Sequence, residues 1–197
     1  SQAGVELLPV GDFAYYDQVL TLSATLNAIP KRHRDFDSQG NENPIDLDTL
    51  FRVARGRAPS GQHACAAEMT KFFNTNYHYQ VPELSQDQQF NIAYTQIFDE
   101  VTQAQSLGYQ SKPVLLGPVT YLYLSKTVGE FDKLSLLPQL LETYQNILAR
   151  FAEQGVNWVQ LDEPILAADL SADWQEAIRH SYQVFAQHKP QTVRLLL

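Results

Sequence analysis

The stretch that most constrains this chain is residues 155–166, Gly-Val-Asn-Trp-Val-Gln-Leu-Asp-Glu-Pro-Ile-Leu. A long amphipathic pattern ends at Gly155, and a strand-like run follows it. Asp162 and Glu163 then stand directly before Pro164, which prevents further regular strand pairing because it lacks a backbone N–H. The stretch is therefore predicted to be a strand that carries polar groups to its carboxyl end.

This predicted strand has two unlike faces. Because side chains alternate along a strand, Val159 and Leu161 share an apolar face, while Gln160 and Asp162 share a polar one. Such a strand suits a closed parallel barrel, in which one face meets covering helices and the other meets a lumen or site mouth. The alternative is a buried strand whose acids cap the next helix or meet basic neighbours.

Strand-like and helix-like segments alternate along the whole chain. Strands are predicted at residues 5–11, 72–79 (within the segment 64–79), 113–119, 158–161 and 192–197. Helical patterns connect them, which is the signature of a parallel α/β fold. With 197 residues the chain is long enough for one domain with a sizeable core. The acids and amides gather at the carboxyl ends of strands, which is the ligand side of such folds.

Several residues predict where helices begin and end. Asp46 or Asp48 can cap a short helix that Gly56 stops. Ser85 and Gln88 have the spacing of a capping box and are predicted to open a long helix after them.

Two sets of polar residues are candidates for ligand contacts. Asn74 and Asn76 lie on the predicted strand at 72–79, where each amide needs a hydrogen-bond partner. Arg52, Arg55 and Arg57 crowd around the carboxyl end of the short helix. They either interact with the helix dipole and solvent or form an anion subsite.

Charge and composition narrow the class of partner. The net charge of −8 argues against a nucleic acid or an anionic membrane, since both favour a basic surface. No apolar run approaches the ~20 residues that span a bilayer. The one cysteine, Cys65, excludes an internal disulfide and indicates a reducing setting. These features predict a cytoplasmic protein.

The residues support little catalytic chemistry of their own. The histidines are scattered and Cys65 stands alone, so no metal-ligand spacing is present and no metal site is predicted. Asp162 and Glu163 are adjacent and point opposite ways on a strand, so they do not form a carboxylate pair. Asp12, which follows the first strand, could form one with Glu163, and a carboxylate-dependent barrel hydrolase is then possible.

Six motifs in order along the chain carry a resemblance to a known family. They are Leu-Leu-Pro-Val-Gly-Asp-Phe (7–13), Asp-Thr-Leu-Phe-Arg (48–52), Gly-Arg-Ala-Pro (56–59), Glu-Met-Thr-Lys-Phe-Phe-Asn-Thr-Asn-Tyr-His-Tyr (68–79), Lys-Pro-Val-Leu-Leu-Gly-Pro-Val-Thr (112–120) and Trp-Val-Gln-Leu-Asp-Glu-Pro (158–164). Together they resemble the N-terminal domain of cobalamin-independent methionine synthase over essentially the whole chain.

The resemblance implies a methyltransferase that moves a methyl group from 5-methyltetrahydropteroyl-polyglutamate (a 5-methyltetrahydrofolate polyglutamate) to homocysteine to make methionine. Such enzymes have two (β/α)8 TIM barrels face to face, and their zinc, homocysteine and pterin are held mainly by the C-terminal barrel. The resemblance thus implies no catalytic residue, no metal ligand and no cofactor within this chain. Asp12, Asp162 and Glu163 then have structural or relic roles.

The same resemblance singles out Lys71 for substrate binding. The lysine of the Glu-Met-Thr-Lys motif contacts the anionic polyglutamate tail in the family, and a cation suits a chain of carboxylates. A second tail-binding cluster of the family, Arg-Glu-Leu-Lys, has no counterpart here, so the resemblance does not by itself imply folate binding by this piece alone. The rival hypothesis is a purely structural domain that braces the catalytic barrel and has no ligand site.

The resemblance also implies that residues 1–197 form an incomplete barrel, from about the second strand to the sixth, and that the catalytic C-terminal barrel is absent. Open strand edges and exposed apolar faces then predict self-association or contact with neighbours, which include the C-terminal barrel of the same parent chain.

Overall fold

The computed structural model describes residues 4–36 and 38–197, and it divides into two units. Unit 1 contains the N-terminal segment through Phe13, Thr95–Tyr123 and Leu134–Leu197. Unit 2 contains Ala14–Tyr94 and Leu124–Lys133. Both units mix helices with strands, and each has its own buried residues.

Unit 1 is built on a parallel sheet of four strands. Its strands are β1 (Leu7–Val10), β5 (Gln110–Leu116), β7 (Trp158–Asp162) and β8 (Arg194–Leu196), in that spatial order. All the pairings are parallel. Neighbouring parallel strands need a crossover connection, and the long helical segments of the sequence supply it. The prediction of an α/β fold with a parallel sheet is therefore confirmed.

Four helices accompany this sheet: α3 (Gln96–Ser106), α4 (Pro118–Leu124), α5 (Leu137–Glu153) and α6 (Ala172–His188). The long amphipathic pattern that ends at Gly155 forms α5, and its residues Tyr144, Leu148 and Phe151 are fully inaccessible to solvent. The Tyr144 hydroxyl donates a hydrogen bond of 2.6 Å to the carbonyl of Leu116, so α5 is fixed to the end of β5.

Unit 2 contains α1 (Gln18–Thr25) and α2 (Leu47–Arg55), with a core of apolar residues from both helices and the loop between them. Two small sheets complete it. Strands β2 (Met69–Lys71) and β3 (His78–Gln80) form an antiparallel hairpin, and β4 (Glu83–Ser85) pairs in parallel with β6 (Lys126–Val128).

Short 3-10 turns stand at Lys31–His33, Lys133–Leu136 and Pro164–Ala167. The helix ends predicted for α2 are confirmed. Asp46 rather than Asp48 caps the helix, because its carboxylate accepts the N–H of Thr49 at 2.9 Å. Gly56 ends α2 with φ 71°, in the left-handed region that favours glycine.

The capping box predicted at Ser85 and Gln88 is wrong. Ser85 is the last residue of β4, and its hydroxyl bonds the Asp87 carboxylate at 2.6 Å instead of a helix N–H. Helix α3 begins later, at Gln96 after Thr95. The pairing of β4 with β6, which no local pattern signals, decided the conformation of this segment.

The prediction of one continuous strand at residues 72–79 is also wrong. A turn interrupts it after Lys71, where Phe73 takes φ 51°, and the chain returns as β3. Asn74 and Asn76 lie exposed in this turn rather than on a strand face. Asn is tolerated in turns because its amide satisfies nearby backbone groups.

The two faces predicted for β7 are confirmed. Val159 and Leu161 are completely buried, whereas Gln160 and Asp162 are partly exposed. The Gln160 amide donates to the Asp162 carboxylate at 2.7 Å, which is possible only because these residues lie on one face.

Candidate functional site

Lys71, which the family resemblance singles out for substrate binding, ends the first strand of the β2–β3 hairpin. Lys71 is exposed, and His78 lies directly opposite it in the antiparallel register. In the part of the chain that the structure describes, no carboxylate lies within ion-pair distance of the Lys71 ammonium. The hairpin therefore presents this cation to solvent with its charge uncompensated.

Aromatic rings and turn bonds stiffen the hairpin. Phe72 lies edge to face against Phe73, Tyr77 and Tyr79, with ring centroids 5.0, 5.8 and 6.0 Å away. The Thr75 hydroxyl donates to the carbonyl of Phe72 at 2.7 Å, which closes the turn. Aromatic contacts of this geometry stabilise beyond simple area burial, so they support the backbone of the hairpin next to Lys71.

Three hydrogen bonds fix the hairpin within unit 2. The buried Asp17 carboxylate accepts the N–H of Leu20 at 2.7 Å and the N–H of Gln80 at 2.9 Å, so one side chain caps α1 and anchors β3. The Tyr77 hydroxyl oxygen accepts the N–H of Gln18 at 3.0 Å. The Tyr79 hydroxyl donates to the carbonyl of Leu124 at 2.9 Å.

Asp17 was not singled out from the sequence, although an acid just before an amphipathic helix is a known capping signal. Its side chain is 2% exposed, and burial raises the pKa of Asp17 from 3.8 to about 6. Hydrogen bonds from the N–H groups of Gln80, Leu20 and Val19 pull the pKa down, but the loss of hydration outweighs them.

Two other cations near the hairpin, Lys126 and Arg32, are held in ion pairs. Glu68, just before β2, pairs with Lys126 at 3.1 Å. Glu83 accepts two hydrogen bonds from the Arg32 guanidinium, at 2.6 and 2.7 Å, and these lower the pKa of Glu83. Lys71 differs from both of these cations because it has no such partner among residues 4–36 and 38–197.

The acids at the end of β7 lie in unit 1 and have a different setting. The Glu163 carboxylate is buried and accepts the N–H of Thr120 at 2.8 Å, its hydroxyl at 2.5 Å and the N–H of Val119 at 3.3 Å. The Tyr182 hydroxyl adds a fourth bond at 3.1 Å. Burial raises the pKa of Glu163 in spite of these donors.

Glu163 therefore caps a helix, as one sequence interpretation held, but the helix is α4 and not the one that follows it in the chain. Gly117 makes this possible, because a Cβ there would lie 2.2 Å from the Glu163 carboxyl carbon. Thr120 and Tyr182 are distant in sequence, and no local pattern pointed to them.

The polar face of β7 is also internally satisfied. The Lys112 ammonium of β5 bonds the Gln160 side-chain oxygen, and Gln160 in turn bonds Asp162. Asp12, proposed as a partner for Glu163, lies exposed after β1. With both Glu163 oxygens occupied by donors, a carboxylate pair that activates water has no supporting contact here.

The three arginines near the end of α2 do not act as one cluster. Arg52 is buried, and its guanidinium bonds both oxygens of Asp35 at 2.9 Å. Arg55 stacks over Tyr16 at 5.6 Å from the ring centroid. Arg57 joins an isolated antiparallel bridge with His63. Arg52 is thus held in an internal ion pair, and among the described residues no contact supports a shared anion subsite.

Among the described residues, no group of three or more His, Cys, Asp or Glu side chains is placed to hold a metal ion. The helices in this part of the chain are all too short or too polar to cross a membrane.

Fold and site together define an α/β protein with a parallel sheet and an exposed cationic hairpin. Sequence comparison then identifies the family. The chain matches the profile of the cobalamin-independent synthase N-terminal domain over residues 1–197, and it belongs to that family.

Bacterial relatives agree with this assignment. A protein of Shewanella oneidensis is 69% identical over 196 residues, 99% of this chain and 25% of that protein. Relatives from Yersinia pestis and Salmonella arizonae are 56% and 54% identical, over 92% and 100% of this chain and 24% and 25% of their own length. All three bear the name 5-methyltetrahydropteroyltriglutamate–homocysteine methyltransferase. The chain thus spans about a quarter of the length of these relatives.

Proposed function

We propose that this chain is part of a methyltransferase that moves the methyl group of 5-methyltetrahydropteroyltriglutamate to homocysteine. The observation that carries the proposal is the 69% identity to a relative of that name, over 99% of the chain. The corresponding experiment is an assay of methionine formation by the full-length protein that carries this chain. An absence of methyl transfer with this donor and acceptor would overturn the proposal.

Residues 1–197 are proposed to supply about strands two to six of a (β/α)8 barrel. The parallel sheet of β1, β5, β7 and β8 supports this, because parallel strands with helical crossovers are the elements of such barrels. The chemistry belongs to another part of the protein, where zinc would activate the homocysteine thiol. Residues 1–197 alone would then be inactive, and their partner is the catalytic barrel of the same protein. Unpaired strand edges would also allow residues 1–197 to self-associate.

Lys71 is the proposed contact for the triglutamate tail. The tail is a row of carboxylates, and Lys71 offers an exposed ammonium that no described acid neutralises. Contacts within the hairpin support the backbone from which this side chain projects, so binding of the tail need not order the backbone. The site needs no pocket, since a flexible charged tail binds by electrostatic attraction along a surface.

The test of this contact is Lys71→Ala in the full-length enzyme. A solvent-exposed ion pair is worth about 0.2–1 kcal/mol, so the Michaelis constant for the triglutamate donor should rise about 1.4- to 5-fold. The constant for a monoglutamate donor should stay the same, because it lacks the distal carboxylates.

Lys126→Ala provides the matched control, since Lys126 is an exposed lysine of the same unit whose charge Glu68 already neutralises. If Lys71→Ala left both Michaelis constants unchanged, the tail contact would be lost and the chain would act only as a brace for the catalytic barrel. Chain-length dependence that disappears only in the Lys71 variant supports the contact.

A further inference from the structure

A cavity of about 600 Å³ lies on unit 2, and Lys71 is not among the residues that line it. Ser85 and Val128, which do line it, are register partners at the carboxyl ends of the parallel strands β4 and β6. The carboxyl ends of parallel strands are where α/β folds place their ligands. The volume also falls in the range of about 300–1,000 Å³ that small-molecule sites have. The cavity thus has the position and the size of a small-molecule site.

Two arginines in the wall of this cavity are already held by the protein. The Arg32 guanidinium donates two hydrogen bonds to Glu83, at 2.6 and 2.7 Å. The Arg34 side chain is 7% exposed, and it donates to the carbonyl of Ile29 at 3.2 Å and to that of Asn27 at 3.1 Å. These bonds fix the wall, and both guanidinium groups already have acceptors.

Lys31 and Asp87 are the charged groups of the cavity lining that have no ion-pair partner within residues 4–36 and 38–197. Both residues are exposed. The Ser85 hydroxyl holds the Asp87 carboxylate with a hydrogen bond of 2.6 Å, which lowers the pKa of Asp87, and the Lys31 charge lowers it as well. The two charges therefore act on each other but lie beyond ion-pair distance, so the cavity offers one cation and one anion to a ligand.

The cavity also has an apolar side. Val128 is 56% exposed although its side chain is aliphatic, and Ile29 and Pro30 line the same cavity. Removing such apolar surface from water favours the binding of an apolar group. A ligand that carries two opposite charges and a short apolar group would match all of these features.

We propose that this cavity binds a zwitterionic α-amino acid with an uncharged, apolar side chain. The ligand carboxylate binds the Lys31 ammonium, the ligand ammonium binds the Asp87 carboxylate, and the ligand side chain covers Val128. A purely anionic ligand would be repelled by Asp87 and a purely cationic one by Lys31, so the cavity discriminates against both. The site goes beyond the proposed function, because neither Lys31 nor Asp87 belongs to the tail contact of Lys71.

Isothermal titration calorimetry of the full-length protein with L-leucine tests the site. Leucine carries both charges and an apolar side chain, and it has no thiol with which to compete for the place of homocysteine. Two analogues each lack one charge: L-leucinamide has no carboxylate, and N-acetyl-L-leucine has no ammonium. Each analogue should bind the wild type about 1.4- to 5-fold more weakly than leucine does, since each loses one solvent-exposed ion pair.

Variants of the two charged residues assign each ligand charge to its partner. Lys31→Ala should raise the leucine Kd about 1.4- to 5-fold and leave the leucinamide Kd unchanged, because the amide has no carboxylate for Lys31 to bind. Asp87→Asn should weaken leucine to the same extent and leave N-acetyl-leucine unchanged. Lys71→Ala is the matched control, since Lys71 is an exposed lysine of the same unit that does not line the cavity, and the leucine Kd should not change.

Three results would overturn the proposal. They are an absence of leucine binding to the wild type, a leucine Kd that neither Lys31→Ala nor Asp87→Asn alters, and an equal weakening of leucine and leucinamide by Lys31→Ala. These titrations contain neither the methyl donor nor homocysteine, so their failure would leave the proposed methyl transfer untouched.

Discussion

The end of β7 and the β2–β3 hairpin are both rich in polar residues, but they differ in whether their charged groups have partners within the protein. Glu163 at the end of β7 is buried and receives four hydrogen bonds, so its carboxylate has no free oxygen to offer. Lys71 on the hairpin is exposed and has no ion-pair partner among the described residues. Polar residues at a strand end are therefore not by themselves a sign of a ligand site; what matters is whether the protein already satisfies them.

The comparison predicts that changes beside Glu163 alter stability more than changes on the hairpin. The largest effect is expected for Gly117→Ala, because the new Cβ would stand 2.2 Å from the Glu163 carboxyl carbon. Glu163 must then move and leave several buried donors unpaired. The free energy of unfolding should fall by about 4 kcal/mol.

Denaturant unfolding of the single and double variants with Glu163→Ala provides the check. If the overlap is the cause, Gly117→Ala should cost much less in the Glu163→Ala background. Equal costs in both backgrounds would mean that Gly117 is required for some other reason.

A smaller and pH-dependent effect is expected beneath the hairpin. The pKa of Asp17 is 3.8 ordinarily and about 6 in the folded protein, so the folded state holds this proton more tightly than the unfolded chain. The contribution of Asp17 to stability is full below pH 3.8 and is lost as the pH rises through about 6. The shift corresponds to about 3 kcal/mol at most.

Asp17→Asn removes this titration, so stability should decline less steeply between pH 4 and 7 in the variant than in the wild type. Urea unfolding at a series of pH values measures the difference, and the other acids contribute equally to both proteins. If the free energy of unfolding changed with pH in the same way in both proteins, burial would not raise the pKa of Asp17.

The smallest effect on stability is expected for Lys71→Ala. An exposed side chain without an ion pair contributes little, so the free energy of unfolding should change by less than about 0.5 kcal/mol. Thermal unfolding of the variant, beside its binding of the triglutamate donor, completes the comparison. A large loss of stability would indicate that Lys71 has a structural role, as Glu163 does, and would argue against a role in ligand binding.

The sequence predicted the four strands of the main sheet and the helix α5 because their signals are local. Gly155 and Pro164 bracket β7, the apolar residues of α5 lie at helical spacing, and Asp46 with Gly56 marks the ends of α2. The prediction failed where a non-local pairing overrode the local pattern. Ser85 was assigned to a helix start, but β4 pairs with the distant β6.

The candidate site was predicted in part. Lys71 was identified from the Glu-Met-Thr-Lys motif, and its role remains a proposal. The contacts of Asp17 and the position of His78 are visible only in the structure. Asp17 meets Gln80 across 63 residues of sequence, and His78 lies opposite Lys71 only because a turn at Phe73 reverses the chain. Alternation of aromatic and amide residues is compatible with one long strand as well as with a hairpin, so the pattern could not decide between them.

The sequence by itself determined the family, the α/β class and the two faces of β7, since these depend on motifs, alternation and the period of side chains along a strand. Only the tertiary structure decided which charges are satisfied. The Glu163 carboxylate accepts hydrogen bonds from groups 43 and 19 residues away, whereas Lys71 is left exposed. Hydration and hydrogen bonding depend on neighbours in space, and the chain brings those neighbours together only when it folds.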